Sequence, residues 1–246
     1  MAPTSPPIPR QAWSVLIVST LAFTVCFMVW MMFGVIGIPL KKTLGLNATE
    51  FGLLTATPVL TGSLIRVPLG IWTDKYGGRI VMALLMAATV PAIWLMSYAT
   101  AYWHFLVIGL FVGLAGGSFS VGTPYVARWF PKSRQGMAMG VYGAGNSGAA
   151  VNKFVAPALL MAFGWTMVPM AYAAIMLGTL ALFWMFSASD PAHRVPSNTK
   201  FVDQLKLLKE PKVLKYCQFY SIVFGGYVAL SLPSQNTIRV PSITAA

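Results

Sequence analysis

Residues 51–99 read FGLLTATPVLTGSLIRVPLGIWTDKYGGRIVMALLMAATVPAIWLMSYA. Two apolar runs in this stretch, Phe51–Trp72 and Ile80–Ala99, flank a short polar turn. Each run has the roughly 20 residues that a helix needs to cross the hydrocarbon of a bilayer. The stretch therefore predicts a hairpin of two membrane-spanning helices, and the rest of the chain repeats its pattern.

Further apolar runs lie on both sides of the hairpin. They are Trp13–Leu40, Tyr102–Ala127, Gly136–Phe163 and Thr166–Ala188, with a seventh run from about Val213 to Leu232. These runs predict an all-α integral membrane protein. The predicted parts are a cytoplasmic tail at 1–12, a six-helix bundle at 13–188, a cytoplasmic loop at 189–212, a seventh helix at 213–232 and a polar tail at 233–246.

The composition supports a membrane protein. The chain is 57% hydrophobic and 9% charged, whereas soluble domains carry about 25% charged residues. Its net charge of +12 could indicate a nucleic-acid partner, but the cations are spread over short gaps between apolar runs. That distribution is typical of cytoplasmic loops, so we predict the lipid bilayer as a partner and no nucleic acid.

The same cations predict the orientation of the helices. If the N-terminus is cytoplasmic, only Lys41 and Lys42 lie in loops on the opposite side. The cytoplasmic segments then hold twelve cations: Arg10, Lys75, Arg79, Arg128, Lys132, Arg134, Arg194, Lys200, Lys206, Lys209, Lys212 and Lys215. We therefore expect a multi-pass protein with its N-terminus in the cytoplasm.

The turn Gly70-Ile71-Trp72-Thr73-Asp74-Lys75-Tyr76-Gly77-Gly78-Arg79 resembles the loop between helices 2 and 3 of the major facilitator superfamily. The resemblance implies two six-helix bundles, with this chain holding the first bundle and the start of the second. It also implies that Gly70, Asp74, Lys75, Gly78 and Arg79 form a gating loop that does not touch substrate. The simpler interpretation is a solvated basic loop that closes a hairpin.

Arg66 lies deep within the second apolar run, about 22 Å from Phe51 at 1.5 Å per residue. A charged group at such a depth costs at least about 2.5–3.5 kcal/mol on insertion scales. A planar oxyanion would fit its guanidinium with two parallel hydrogen bonds. The alternatives are a structural ion pair, although all five acids are expected in loops, and snorkelling to the cytoplasmic face.

Small residues recur along the fifth run, in Gly143-Ala144-Gly145-Asn146-Ser147-Gly148. This stretch resembles the glycine-rich signature of the nitrate/nitrite porter family, a resemblance that covers residues 11 to about 231. It implies a secondary transporter of nitrate or nitrite that works by alternating access. The substrate residues that it implies are Arg66, Phe119, Asn146, Tyr220 and Phe224. Without the resemblance, ordinary packing would explain the aromatic residues.

Lys153, also in the fifth run, departs from an apolar pattern. We hold two interpretations open: a group that couples transport to protons or attracts the anion, and a lysine that snorkels to the periplasmic face.

Another small anion, such as formate or oxalate, would suit Arg66 equally well. A membrane enzyme is the third class, but His104 and His193 have no partner motif, so we expect neither an enzyme nor a cofactor.

The polar residues 233–246 do not resemble the helix ending expected of the family. Three explanations are open: a frameshift after about Ser231, a fragment of a longer protein, and half-carriers that pair as dimers. We favour the frameshift as a hypothesis. In each case the missing second half, or a second copy, is expected to be needed for a complete site, and a transport-inactive chain is an alternative.

Overall fold

A computed structural model describes residues 8–190 and 210–231 of the chain. Every regular element in these two ranges is a helix, so the predicted all-α class is confirmed. The α-helices are α1 (Arg10–Trp30), α2 (Phe33–Thr43), α3 (Ala48–Leu64), α4 (Arg66–Tyr76), α5 (Gly78–Met96), α6 (Tyr102–Val112), α7 (Ser118–Ala127), α8 (Gln135–Gly143), α9 (Gly148–Phe163), α10 (Met167–Phe186) and α11 (Pro211–Ser231). Two 3₁₀ turns, Gly113–Gly117 and Ala144–Ser147, join α6 to α7 and α8 to α9.

Four of the predicted runs are each divided into two helices. The first run breaks at Met31 and Met32, the second at Ile65, and the fourth and fifth at the 3₁₀ turns. A break releases backbone groups that lipid cannot satisfy, so other protein groups must bond them. At the first break the Met31 carbonyl accepts from the Gly34 backbone N–H at 3.2 Å and from the Asn152 side chain at 3.0 Å.

Within residues 8–190 and 210–231, five helical stretches are long and apolar enough to cross a membrane. They are Arg10–Thr43, Ala48–Tyr76, Gly78–Met96, Tyr102–Ala127 and Met167–Phe186. The prediction counted the fifth run as a clear span as well, but its helices α8 and α9 are not among these five stretches. Their glycines and the polar residues Asn146, Asn152 and Lys153 lower the mean hydropathy.

The chain forms two compact units, residues 1–196 and 197–246. In the first unit α1 is the central helix, packed against α7, α8, α9 and α10. Most of its side chains are buried, among them Phe23, Cys26, Phe27 and Trp30. In the second unit the structure describes α11, which contains most of the predicted seventh helix. Residues 1–7 of the predicted N-terminal tail, the predicted tail at 233–246 and most of the loop at 189–212 lie outside the described residues. Helix α1 begins at Arg10, three residues before the predicted start at Trp13.

Candidate functional site

Arg66 is the first residue of α4, immediately after the break at Ile65. Since α4 has 11 residues, Arg66 lies about 15 Å from its last residue at 1.5 Å per residue. The half-buried side chain donates a long hydrogen bond, 3.4 Å, from Nε to the Gly116 carbonyl. Its guanidinium carbon lies 6.0 Å from the ring centre of Trp30, at the outer limit of a cation–π contact.

The Gly116 carbonyl is accessible because its 3₁₀ turn packs directly on Trp30. A Cβ atom at Gly116 would lie 2.7 Å from Trp30 Nε1, so only a glycine allows this approach. The same indole nitrogen donates a 2.9 Å hydrogen bond to the Pro58 carbonyl in α3. Trp30 therefore fixes the backbone of both helical segments that position Arg66.

Most of the described acids lie at helix ends and have identified partners there. Glu50 closes a capping box with Asn47 at the start of α3, through two hydrogen bonds of 2.9 Å. Asp74 lies in the last turn of α4, rather than in the predicted loop, and pairs with Arg128. Asp190 Oδ2 lies 3.5 Å from Arg128 Nε. Asp203 lies outside the described residues.

Phe119 belongs to an aromatic cluster three residues after Gly116. Its ring centre lies 5.5 Å from that of Phe23 and 6.0 Å from that of Tyr142, and the Phe23 and Tyr142 rings stack at 5.0 Å. The Tyr142 hydroxyl donates to the Ser118 carbonyl at 3.0 Å. This hydrogen bond and the stacking hold the partly buried Phe119 ring of α7 against α1 and α8.

Asn146 lies in the 3₁₀ turn between α8 and α9, beside this cluster. A Cβ atom at the preceding Gly145 would lie 2.3 Å from Phe23 Cδ1. The Asn146 amide nitrogen donates to the Gly143 carbonyl at 2.8 Å, and its buried Oδ1 has no hydrogen-bond partner among the described residues. Since an amide oxygen repels an anion, Asn146 could assist an anion only through its N–H groups or a water molecule.

Lys153 is half-buried in α9, next to a buried polar pair. Asn152 accepts a 2.7 Å hydrogen bond from the Tyr172 hydroxyl and donates to the Met31 carbonyl. This pair joins α9 and α10 to the break in the first segment. It therefore fixes the part of the helix from which Lys153 projects.

Tyr220 and Phe224, the other two predicted substrate residues, lie one turn apart in α11. Their rings stack with centres 5.3 Å apart and planes inclined by 11°. Tyr227 continues the aromatic row, 6.4 Å from Phe224. The second unit therefore presents a row of rings along one helix.

The predicted gating loop contains the ends of two helices rather than a long loop. Gly70, Asp74 and Lys75 lie in α4, and Gly78 and Arg79 begin α5. Gly77 makes the turn with φ of +88°, a conformation that favours glycine. Gly78 packs against Tyr125, so that α5 lies directly on α7.

Arg79 joins this turn to the end of α10. Its Nη2 donates to the Trp184 carbonyl at 2.7 Å and its Nε to the Ser187 hydroxyl at 3.1 Å. The Tyr125 hydroxyl donates to the Ala188 carbonyl nearby. Carbonyls at the end of a helix lack partners within the helix, and these two side chains supply them.

Sequence reasoning missed Trp30, Phe23 and Tyr142, which surround the predicted residues. Each is an aromatic residue within an apolar run, and membrane helices contain many such residues. Gly116 and Gly145 could have indicated two of these neighbours. A glycine has no side chain, and the space at these two positions is occupied by Trp30 and Phe23.

Residues 18–245 match the sequence model of the Major Facilitator Superfamily, a match that extends into the tail where the residues alone indicated no likeness. The chain is 41% identical over 229 residues to a Thermus thermophilus protein named "Probable nitrate/nitrite antiporter NarK1", covering 88% of this chain and 52% of that protein. It is 32% identical over 219 residues to the "Nitrite extrusion protein" of Bacillus subtilis, covering 88% and 54%.

The chain spans about half the length of the curated relatives that it matches. Among solved structures, it resembles a bacterial homologue of the human lysosomal transporter Spinster, in an inward-facing and unoccupied conformation. The TM-score is 0.68 at 17% identity, over 81% of this chain and 49% of that one. This likeness shows the fold alone.

Proposed function

The chain belongs to the major facilitator superfamily, and from that premise we propose that it takes part in moving nitrate or nitrite across a membrane by alternating access. The printed names of the relatives support this substrate class. In the proposed mechanism two helical bundles rock about a central site and expose it to each side in turn. The chain supplies one bundle and the first helix of the other.

The position of Arg66 is the observation that carries the proposal. It places a permanent positive charge within a span, beside Trp30 and a glycine carbonyl. Nitrate and nitrite are planar oxyanions, and a guanidinium binds such groups through parallel N–H donors. We propose that the N–H donors of this guanidinium meet the anion.

The aromatic residues would then enclose the anion. We propose that Phe119 forms one wall of the site, that Asn146 contributes an amide N–H, and that Tyr220 and Phe224 contribute their rings from the second bundle. Apolar walls lower the local dielectric and so strengthen the attraction between the anion and Arg66. The anion in turn offsets the cost of keeping Arg66 away from water.

Orientation and coupling are part of the proposal. We place the N-terminus in the cytoplasm from the distribution of cations, and the protein in a bacterial inner membrane because the relatives come from bacteria. Lys153 is proposed as the group that couples anion movement to protons. Lys153→Gln should then leave nitrate binding intact and remove the effect of a pH gradient on nitrate uptake.

Counterflow in proteoliposomes tests the transport proposal. Vesicles containing the 246-residue chain and unlabelled nitrate are diluted into labelled nitrate, with nitrite, formate and oxalate as competitors. We expect transient accumulation of label that nitrite suppresses more than formate or oxalate does. The variant Arg10→Lys changes an exposed arginine at the start of α1. It serves as the control for purification and reconstitution of a variant protein. No exchange, together with no nitrate binding, would contradict the proposal.

A further inference from the structure

Two apolar grooves flank the exposed edge of α5. The first, about 370 Å³, lies between α4 and α5 and is lined by Leu69, Trp72, Tyr76 and Ala88 among others. The second, about 470 Å³, lies between α5 and α10 and includes Ala87, Leu177, Ala181 and Trp184. Ile80 and Leu84, which are 45% and 64% exposed, form the ridge shared by both grooves.

Each groove has a cation on an aromatic ring at the same end. Lys75 Nζ lies 5.1 Å from the ring centre of Tyr76, which lines the first groove. The Arg79 guanidinium carbon lies 4.4 Å from the ring of Trp184, which lines the second. Lys75 lies in the last turn of α4 and Arg79 in the first turn of α5, so the two cations flank the turn at Gly77 and both apolar grooves converge on it.

This arrangement matches an amphiphile with one anionic head and two hydrocarbon tails. The lining side chains are aliphatic or aromatic, so they would give a small hydrophilic anion no binding partners. Both grooves are bordered by helices that are apolar enough to span a membrane, where acyl chains are the surrounding solvent. Clustered Lys and Arg beside a membrane helix attract anionic lipid headgroups, and aromatic rings favour the interface.

We propose that α4, α5 and α10 bind one anionic diacyl phospholipid. One acyl chain lies in each groove, the ridge of Ile80 and Leu84 separates the two chains, and the phosphate faces Lys75 and Arg79. From Gly78 to Ala88 the first groove extends about 15 Å along α5, and from Gly78 to Ala87 the second extends about 13 Å, at 1.5 Å per residue. The bound lipid would join the turn to the end of α10 from the outside of the bundle.

Lipid retention measured by native mass spectrometry tests this site. The full chain is released from detergent micelles containing phosphatidylglycerol or phosphatidylcholine with the same acyl chains. We expect the wild type to retain one phosphatidylglycerol in preference to phosphatidylcholine. Lys75→Gln should reduce this preference and leave phosphatidylcholine retention unchanged. An equal retention of both lipids by the wild type, or a preference that survives Lys75→Gln, would overturn the proposal.

The grooves are tested by filling them from the surface. Ala88→Phe fills the first groove and Ala181→Phe the second, and both alanines are exposed, so the core is spared. Each should lower phosphatidylglycerol retention about tenfold, the effect of displacing about two methylene groups. Ala174→Phe, at an exposed site on α10 outside both linings, is the matched control and should retain the lipid. Equal retention by all three variants, or equal loss from all three, would overturn the proposal.

Discussion

Gly148→Ala is expected to destabilise the first compact unit, because α1 and α9 meet there through bare backbone. A Cβ atom at Gly148 would lie 2.2 Å from the Thr24 carbonyl oxygen and 3.0 Å from the Met28 nitrogen. Both atoms belong to the backbone of α1, so no flexible side chain can move aside. Small residues at such a crossing are what allows two membrane helices to approach closely.

The size of the effect follows from this distance. Raising the contact from 2.2 Å to a tolerable 3.0 Å moves the two helices apart by about 0.8 Å. Overpacking of this kind typically costs about 1–3 kcal/mol. Gly140→Ala is the matched control, since a Cβ atom there would meet nothing within 4 Å. Both substitutions gain the same helix propensity, up to about 1 kcal/mol, so the difference between the variants isolates the clash.

Reversible unfolding in mixed micelles, followed by circular dichroism, measures both variants against the wild type. Gly148→Ala should have a free energy of unfolding about 1–3 kcal/mol below that of Gly140→Ala. Equal values would refute the inferred backbone contact between α1 and α9. Equal values would also mean that the small residues of the fifth run, Gly136–Phe163, have no packing role.

Two further predictions concern polar contacts. Arg128→Gln should lower the free energy of unfolding by about 3 kcal/mol, since it removes the cation facing Asp190, whose side chain has no exposed surface. Asp74→Asn should lower it by less than about 1 kcal/mol, because Asp74 is 46% exposed and water screens its pair with Arg128; chemical unfolding of both variants checks this order. Tyr172→Phe leaves Asn152 Oδ1 without its 2.7 Å donor and should cost about 1–3 kcal/mol. A double-mutant cycle with Asn152→Leu should show a coupling energy, and strictly additive effects would contradict the shared network.

The apolar runs of the sequence predicted the helices, but they did not predict the positions at which the helices break. Apolar length and the spacing of polar turns predict spans directly, because lipid demands about 20 apolar residues per helix. At the division of the first run, the Met31 carbonyl accepts a hydrogen bond from Asn152, 121 residues later. No local pattern contains such a long-range contact, so the breaks could not be predicted.

The candidate site, too, could be predicted from the sequence only in part. The cation Arg66 was identifiable from one chain, because a charge within an apolar run demands an explanation. Its neighbours Trp30 and Gly116 were not, since a tryptophan in an apolar run is ordinarily a packing residue. The roles of Phe119 and Asn146 came from family resemblance, and they stay predictions. The structure adds that the Asn146 Oδ1 is buried, which limits this residue to N–H or water-mediated contact with an anion.

Nitrate binding to the wild type and to Arg66→Lys tests the central claim most directly. The lysine keeps the positive charge and removes the planar fork of donors. Losing one charge-assisted hydrogen bond, worth about 1.5–3 kcal/mol, weakens binding by about 10- to 150-fold. We expect titration calorimetry to show this loss for Arg66→Lys and no change for the exposed control Arg10→Lys. Nitrate affinity that is unchanged in Arg66→Lys, or reduced equally in both variants, would contradict the assignment of Arg66 as the anion-binding residue.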